Sequence, residues 1–141
     1  MNVVRQSSKT INLFDRYRLI LPPGLKYHQD GPLGKRVLFI TDCDESFIIS
    51  FEEDMECIDL TAGGLGREQT TCLENRCGNR YIHQRRIDRC RTSFAFFYIE
   101  LKDSKGKAVC LPGQMTANQN YMWSEEVEPI LIKLLDSISL Q

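Results

Sequence analysis

The chain has 141 residues, of which 42% are hydrophobic and 26% charged, and its formal net charge at pH 7 is -1. These proportions are typical of one soluble globular domain, and this length can bury a hydrophobic core without cross-links. The balanced charge excludes a protein whose whole surface binds a polyanion, because such binding scales with the number of phosphates neutralised. We predict a single domain over residues 13–141, preceded by a polar tail over residues 1–12.

Apolar segments that end at turn residues predict three strands in the first part of the domain. Residues 17–21 are followed by two prolines and a glycine at 22–24, which end a strand because proline cannot donate to a β-ladder. Residues 37–41 and 47–51 flank the acidic segment 42–46, as the two strands of a β-hairpin flank their turn.

The second half of the chain predicts further strands. The polar segments 68–72 and 80–90 alternate weakly in polarity, which indicates edge or half-exposed strands. Residues 94–101 are aromatic and apolar on both faces over most of their length, which predicts a central strand covered on both sides. A turn then leads to a strand over 108–111, which we expect to end at Pro112 and Gly113.

An amphipathic helix is predicted near the C-terminus, because six apolar residues recur at helical spacing: Val127, Ile130, Leu131, Leu134, Leu135 and Ile138. It begins either after Ser124 as N-cap or with Pro129 at its first position. The predicted fold class is therefore α+β. It consists of an antiparallel sheet of about 5–6 strands packed by this C-terminal amphipathic helix, a layered α/β sandwich.

This order of elements resembles the superfamily of PsbP-like extrinsic photosystem subunits and small DcrB-type bacterial lipoproteins. The resemblance rests on the apolar strand with its Pro-Pro-Gly at 17–24, and on the closing hairpin and helix over 94–138. It implies an antiparallel sheet layered with helices and a mostly non-enzymatic role as a binding or accessory module. The chain departs from that family in its six cysteines and in the lack of a lipobox or leader, and no functional residue is carried over.

Six cysteines allow either disulfides in an exported domain or thiols in a reducing compartment: Cys43, Cys57, Cys72, Cys77, Cys90 and Cys110. Cys57 and Cys110 have apolar neighbours in sequence, which favours small buried thiols. One set has the donors of a structural zinc site, namely Cys72, Cys77, His83 and Cys90. Its spacing differs from that of common zinc motifs, so we predict no metal and no cofactor, with zinc on this set as the disfavoured alternative.

Charge is unevenly distributed along the chain. Residues 42–59 contain eight acidic residues and no lysine or arginine. Residues 76–91 contain a single acid and six arginines, our candidate basic patch: Arg76, Arg80, Arg85, Arg86, Arg89 and Arg91. Arginine binds phosphate well, but the acidic block would repel nucleic acid. A protein partner, or pairing between the two blocks, is therefore favoured over nucleic acid.

Together these features predict a non-catalytic binding or accessory domain that acts through protein–protein interaction. One alternative is a small thiol-dependent enzyme that uses Cys77 or Cys90 with His83, although neither histidine of the chain lies in a catalytic motif. The other alternative is a nucleic-acid binder through residues 76–91, whose affinity would fall steeply with salt. The oligomeric state and the specific partner are left open.

The sequence predicts no membrane span, because its longest apolar run, 94–99, is far shorter than the roughly 18 residues that a spanning helix needs. No signal-peptide pattern is visible, which favours the cytoplasm. Residues 2–10 are nonetheless polar enough to be the tether of an exported or lipid-anchored protein whose leader has been removed.

Overall fold

The computed structural model describes residues 8–54, 69–74, 80–87, 93–117 and 128–141, with side chains described for 8–54, 96–117 and 129–141. The helix of this part of the chain is α1 (Glu128–Asp136), and its strands are β1 (Lys9–Leu13), β2 (Tyr17–Leu21), β3 (Leu25–Asp30), β4 (Val37–Asp42), β5 (Phe47–Glu52), β6 (Gln69–Glu74), β7 (Arg80–Ile87), β8 (Ser93–Lys102), β9 (Ala108–Ala117) and β10 (Ser139–Leu140). None of the helical residues described belongs to a segment with the length and hydrophobicity needed to cross a membrane.

The described strands form two antiparallel sheets. The smaller sheet has the order β1-β2-β10, and the larger has the order β3-β4-β5-β9-β8-β7-β6. The described part of the chain is thus mostly antiparallel β-structure with one short helix, α1, in agreement with the α+β class. The prediction of about 5–6 strands is lower than the ten strands described. Among the strands that were not predicted, β3 is almost wholly exposed and β10 has only two residues. Neither strand has the apolar alternation by which a half-buried strand is recognised.

The main apolar core contains residues from both sheets and from the helix. In β2 the alternate residues Tyr17, Leu19 and Leu21 are buried, as expected for a strand with one face on a core. The helical stripe predicted from the sequence joins the same cluster through Leu131, Leu134, Leu135 and Ile138, all fully buried. Val127 and the alternative cap Ser124 lie outside the described residues, whereas Pro129 is in the first turn of the helix as described.

The end of the helix is attached to the smaller sheet by hydrogen bonds. The Ser137 hydroxyl donates to the Leu134 carbonyl oxygen at 2.6 Å, and its oxygen accepts from the Ile20 backbone N–H at 2.9 Å. Beyond it, β10 pairs with β2, and the Gln141 backbone N–H donates to the Arg16 carbonyl oxygen at 3.0 Å. These bonds satisfy backbone groups that a helix end and a sheet edge otherwise leave unpaired.

Two boundaries differ from the predicted ones. Lys9–Leu13 forms β1, with Ile11 and Leu13 buried, so the folded part includes residues that we expected in the polar tail over 1–12. The predicted strand end at Pro112 and Gly113 is wrong, because β9 continues to Ala117. The pairing of β5 with β9 begins at Gly113, so Pro112 is paired on one side only, with Tyr98 of β8. In this respect Pro112 is like a residue of an edge strand. Proline is tolerated at such positions.

Candidate functional site

The structure assigns strand positions to half of the predicted basic patch. Arg80, Arg85 and Arg86 lie on β7, while Arg76, Arg89 and Arg91 fall outside the described residues. In register, Arg80 stands between two acidic positions, Glu100 on β8 and Glu74 on β6. Among the described pairs, the other two arginines of β7 have no acidic register partner, because Arg85 pairs with Gln69 and Ala95 and Arg86 pairs with Phe94. The described ion pairs of the acidic block are made with two other residues, Lys26 and Arg36.

The alternative zinc set is also only partly described. Cys72 lies on β6 opposite Ile82, and His83 lies on β7 opposite Thr71, so the two positions are not cross-strand partners. Cys77 and Cys90 fall outside the described residues. Within the ranges that are described, no three His, Cys, Asp or Glu residues lie close enough together to hold a metal ion. The zinc hypothesis and the thiol-enzyme hypothesis thus stay predictions.

Two cysteine side chains are described, and they differ in state. Cys110 on β9 is half-buried and disulfide-bonded, so the prediction of a buried free thiol at this position is wrong. Cys43, in the turn between β4 and β5, is free and exposed. Apolar neighbours in sequence led to the wrong prediction at Cys110, because burial alone does not distinguish a thiol from a disulfide.

Sequence analysis missed a cluster of charged residues that joins the two sheets, which we call the Arg36 clamp: Asp15, Arg36 and Glu53. The Arg36 guanidinium donates to the Glu53 carboxylate at 2.7 and 2.9 Å and to Asp15 Oδ2 at 2.9 Å. Glu53 Oε1 also accepts from the backbone N–H of Gly34 at 2.9 Å and of Arg36 at 3.2 Å. The side chain of Arg36 is only 13% exposed and that of Glu53 is 20% exposed. Such bidentate, charge-assisted bonds are stronger than neutral ones.

The Arg36 clamp holds a turn with unusual backbone geometry between β1 and β2. Phe14 and Asp15 both have left-handed φ values, 56° and 59°, a conformation uncommon for non-glycine residues and costly for a bulky one. Asn12 Oδ1 accepts from the Asp15 backbone N–H at 2.9 Å, and the Arg36 guanidinium lies 5.7 Å from the centre of the Phe14 ring. These contacts stabilise the turn and fix it to the end of β5, so the clamp has a structural role.

The clamp makes the stability of the fold depend on acid pH. Hydrogen bonds from Arg36 lower the pKa of Glu53 from its usual 4.5 to about 2. The folded state therefore prefers ionised Glu53, and this contribution to stability is complete above the unfolded pKa and is lost as the pH falls towards 2. We expect Glu53→Gln to lower the Tm near neutral pH, and we expect most of this difference to vanish by about pH 2.

The measurement is thermal unfolding by circular dichroism at several pH values between neutral and about 2. Glu45→Gln is the matched control, because the ion pair of Glu45 with Lys26 is 3.7 Å long and its side chains are largely exposed. Exposed pairs contribute little to stability, so we expect this control to resemble the wild type throughout. A Tm difference for Glu53→Gln that is the same at every pH would contradict the role of the clamp.

The larger sheet also presents apolar side chains to solvent. Register and alternation place Phe39 on β4 and Ile48 on β5 on the face opposite the core, together with Thr41, Lys26 and His28, and we call this set the outer face. Phe39 is 39% exposed and Ile48 is 42% exposed. Thr41 pairs with Ile48 and lies two residues from Phe39, so the two apolar residues are diagonal neighbours within contact range of each other.

The same side of the sheet is covered further along. Tyr98 on β8 is buried and packs against Phe96 and Cys110 in a second small cluster. Phe97 and Ile99, which precede and follow it on β8, belong to the main core, so Tyr98 lies on the opposite side of the sheet. On this side of the sheet the residues of β3, Phe39 and Ile48 are exposed, whereas Ser50 of β5 and Tyr98 of β8 are buried.

Acidic residues surround the open outer face. Residues 37–54 contain no lysine or arginine, and the turn from β4 to β5 contains Asp42, Asp44 and Glu45. The nearby Lys26 is 3.7 Å from Glu45. The surface thus combines exposed apolar side chains with a local negative charge, which favours contact with a cationic partner.

A shallow polar cleft of about 420 Å³ lies at another end of the molecule, and its walls are Asp15, Arg16, Lys102, Asp103, Ser104, Leu140 and Gln141. Its two carboxylates already have structural partners. Asp15 accepts from Arg36, and Asp103 Oδ1 accepts from the backbone N–H groups of Lys105 at 2.9 Å and Lys107 at 2.8 Å.

Comparison of the chain with protein-family models, with curated proteins and with solved structures found no match.

Proposed function

We propose that this protein is a non-catalytic protein-binding domain and that its partner contacts the outer face. One observation carries this proposal: Phe39 and Ile48 are neighbours on adjacent strands, and each leaves about two fifths of its surface exposed. Exposing adjacent large apolar side chains opposes solubility, and such patches with a polar rim are typical of interaction sites. An aromatic ring at the centre of the patch is the type of residue that contributes most to binding.

The charges around the outer face indicate the chemistry of the partner. Asp42, Asp44 and Glu45 lie at one end of the β4–β5 hairpin, and Glu52 lies at the other. A cationic surface would be attracted to this region, whereas nucleic acid would be repelled by it. We therefore propose a protein partner whose contact segment combines apolar and basic residues.

The test is a titration of the full chain with an amphipathic peptide of leucine and lysine, followed by amide chemical shifts. We expect the shifts to change at Phe39, Ile48 and Thr41. A peptide of the same pattern with glutamate in place of lysine is expected to bind much more weakly, because its charge has the wrong sign. Equal binding of both peptides, or of neither, would contradict the proposed partner chemistry.

A double variant locates the binding surface. Phe39→Ser combined with Ile48→Thr removes the exposed apolar area, and we expect about tenfold weaker binding of the leucine–lysine peptide, from the loss of roughly 1.4 kcal/mol. Ile20→Thr is the matched control, since Ile20 is 45% exposed but lies on the smaller sheet. If both variants weakened binding equally, the outer face would not be the specific site.

We also infer that this chain is a member of the PsbP-like and DcrB-type superfamily and that its fold is a layered α/β sandwich. The support is the strand before Pro-Pro-Gly at 22–24 together with the buried stripe of α1. The disulfide at Cys110 supports an oxidising location outside the cytosol, where such bonds persist. The nucleic-acid alternative depends on residues 76–91, and no described contact favours it.

A further inference from the structure

The edge strand β3 is open to pairing. It is the first strand of the larger sheet and pairs with β4 on one side, and no described strand pairs with its other side. All residues from Lys26 to Asp30 are exposed. A strand of this kind presents a row of backbone N–H and C=O groups that another strand can pair with.

The order of charges on β3 is complementary to itself when the strand is reversed. Lys26, His28 and Asp30 alternate along one side of the strand, as their register with Thr41, Phe39 and Val37 shows. In an antiparallel pair of β3 strands centred on His28, each Lys26 stands opposite Asp30 of the second copy. Opposite charges at directly paired positions stabilise such a pair.

We propose that β3 pairs antiparallel with β3 of a second copy of this chain, centred on His28, to form a symmetric dimer with a continuous sheet. This goes beyond the proposed function, because the contact is made by the backbone edge of β3 and not by the exposed apolar side chains of Phe39 and Ile48. Among antiparallel registers, only the one centred on His28 places Lys26 opposite Asp30 of the second copy. Because the contact is isologous, it closes after two copies and leaves no β3 edge free.

The acidic turn from β4 to β5 also favours the antiparallel over the parallel arrangement of the two β3 strands. Leu25 pairs with Asp42, so the acidic turn from β4 to β5 lies beside the start of β3. In an antiparallel dimer the acidic turns of the two copies lie at opposite ends of the joint sheet, where they do not repel each other. A parallel pair would bring the two acidic turns together, which costs free energy.

The first experiment exchanges the charges. Lys26→Asp places two like-charged pairs in the proposed contact, and we expect dimerisation measured by analytical ultracentrifugation to weaken about tenfold or more. Adding Asp30→Lys restores opposite charges at the same positions, so the exchanged variant is expected to recover wild-type dimerisation. Lys26 is 56% exposed, and the fold of each variant is checked by circular dichroism. A monomeric wild type, or no recovery on exchange, would overturn the proposal.

The second experiment traps the pair covalently. His28→Cys, made with Cys43→Ser to remove the exposed thiol, places two cysteines at directly opposed positions, and mild oxidation is expected to give a covalent dimer. Ile20→Cys in the same background is the control and is expected to stay uncoupled, because it is exposed on the other sheet. Equal coupling of both variants, or none at position 28, would overturn the dimer. A monomer that still binds the leucine–lysine peptide would overturn the dimer alone and leave the proposed function intact.

Discussion

Leu134→Ala is expected to lower the free energy of unfolding by about 2–5 kcal/mol, the range measured for leucine truncation in well-packed cores. Leu134 lies in the last turn of α1, is fully buried and belongs to the cluster that also contains Leu19 of β2 and Leu38 of β4. The alanine variant loses apolar contacts within this cluster and leaves a cavity in a closely packed core. The carbonyl oxygen of Leu134 also accepts a hydrogen bond from the Ser137 hydroxyl, so the helix end is held in place and cannot move to fill the space.

Urea unfolding followed by circular dichroism measures this effect, and Lys133→Ala is the matched control. Lys133 is exposed on the same helical turn, and alanine has a high helix propensity, so its replacement is expected to change the stability by less than about 0.5 kcal/mol. Equal effects of the two substitutions would mean that α1 is not part of the core.

Gly113→Ala is expected to destabilise the protein by about 1–3 kcal/mol through overpacking. Gly113 lies on β9 between Phe51 of β5 and Phe97 of β8. A methyl group there would come within 2.5 Å of Phe97 Cε2 and 2.7 Å of the Ser50 carbonyl oxygen. The Phe97 ring packs edge to face against Phe51, with their centres 5.6 Å apart, so it has little freedom to move away.

A double-mutant cycle tests the origin of that cost. Phe97→Leu removes the ring that the new methyl group would meet, so Gly113→Ala is expected to cost less in the Phe97→Leu background than in the wild type. The recovery is expected to be partial, because the Ser50 carbonyl oxygen belongs to the backbone of β5 and stays in place. Strictly additive free energies would show that the two positions do not interact and would contradict the close contact.

Apolar periodicity located most of the elements that form the core, but it missed β1 and the second half of β9. Strand β2 alternates buried and exposed residues as its sequence indicates, and β4, β5 and β8 lie where their apolar runs predict them. The buried residues Leu131, Leu134 and Leu135 of α1 follow the predicted spacing, and Ile138 is buried two residues beyond the end of the helix. These elements are predictable because burial of one face imposes a period on the sequence, and the period is readable without knowing the partner surface.

The candidate surfaces were much less accessible to sequence analysis. The sequence places Phe39 and Ile48 in the two strands of a hairpin but does not predict that they are exposed, since alternation does not tell which face of the sheet another element will cover. In the Arg36 clamp, Arg36 is separated in sequence by 21 positions from Asp15 and by 17 positions from Glu53, and no local spacing marks such pairs. Arg36 and Glu53 come together because β4 pairs with β5, with Val37 opposite Glu52.

The sequence by itself determined the α+β class, the positions of the main core strands and the apolar face of α1, because each depends on local propensity and on the period of burial. Only the tertiary structure decided that β9 continues through Pro112, that Cys110 is disulfide-bonded and that β3 forms an exposed edge. These features depend on which strand lies beside which. Strand neighbours are set by contacts between residues far apart in the chain, and one sequence contains no direct signal of such contacts.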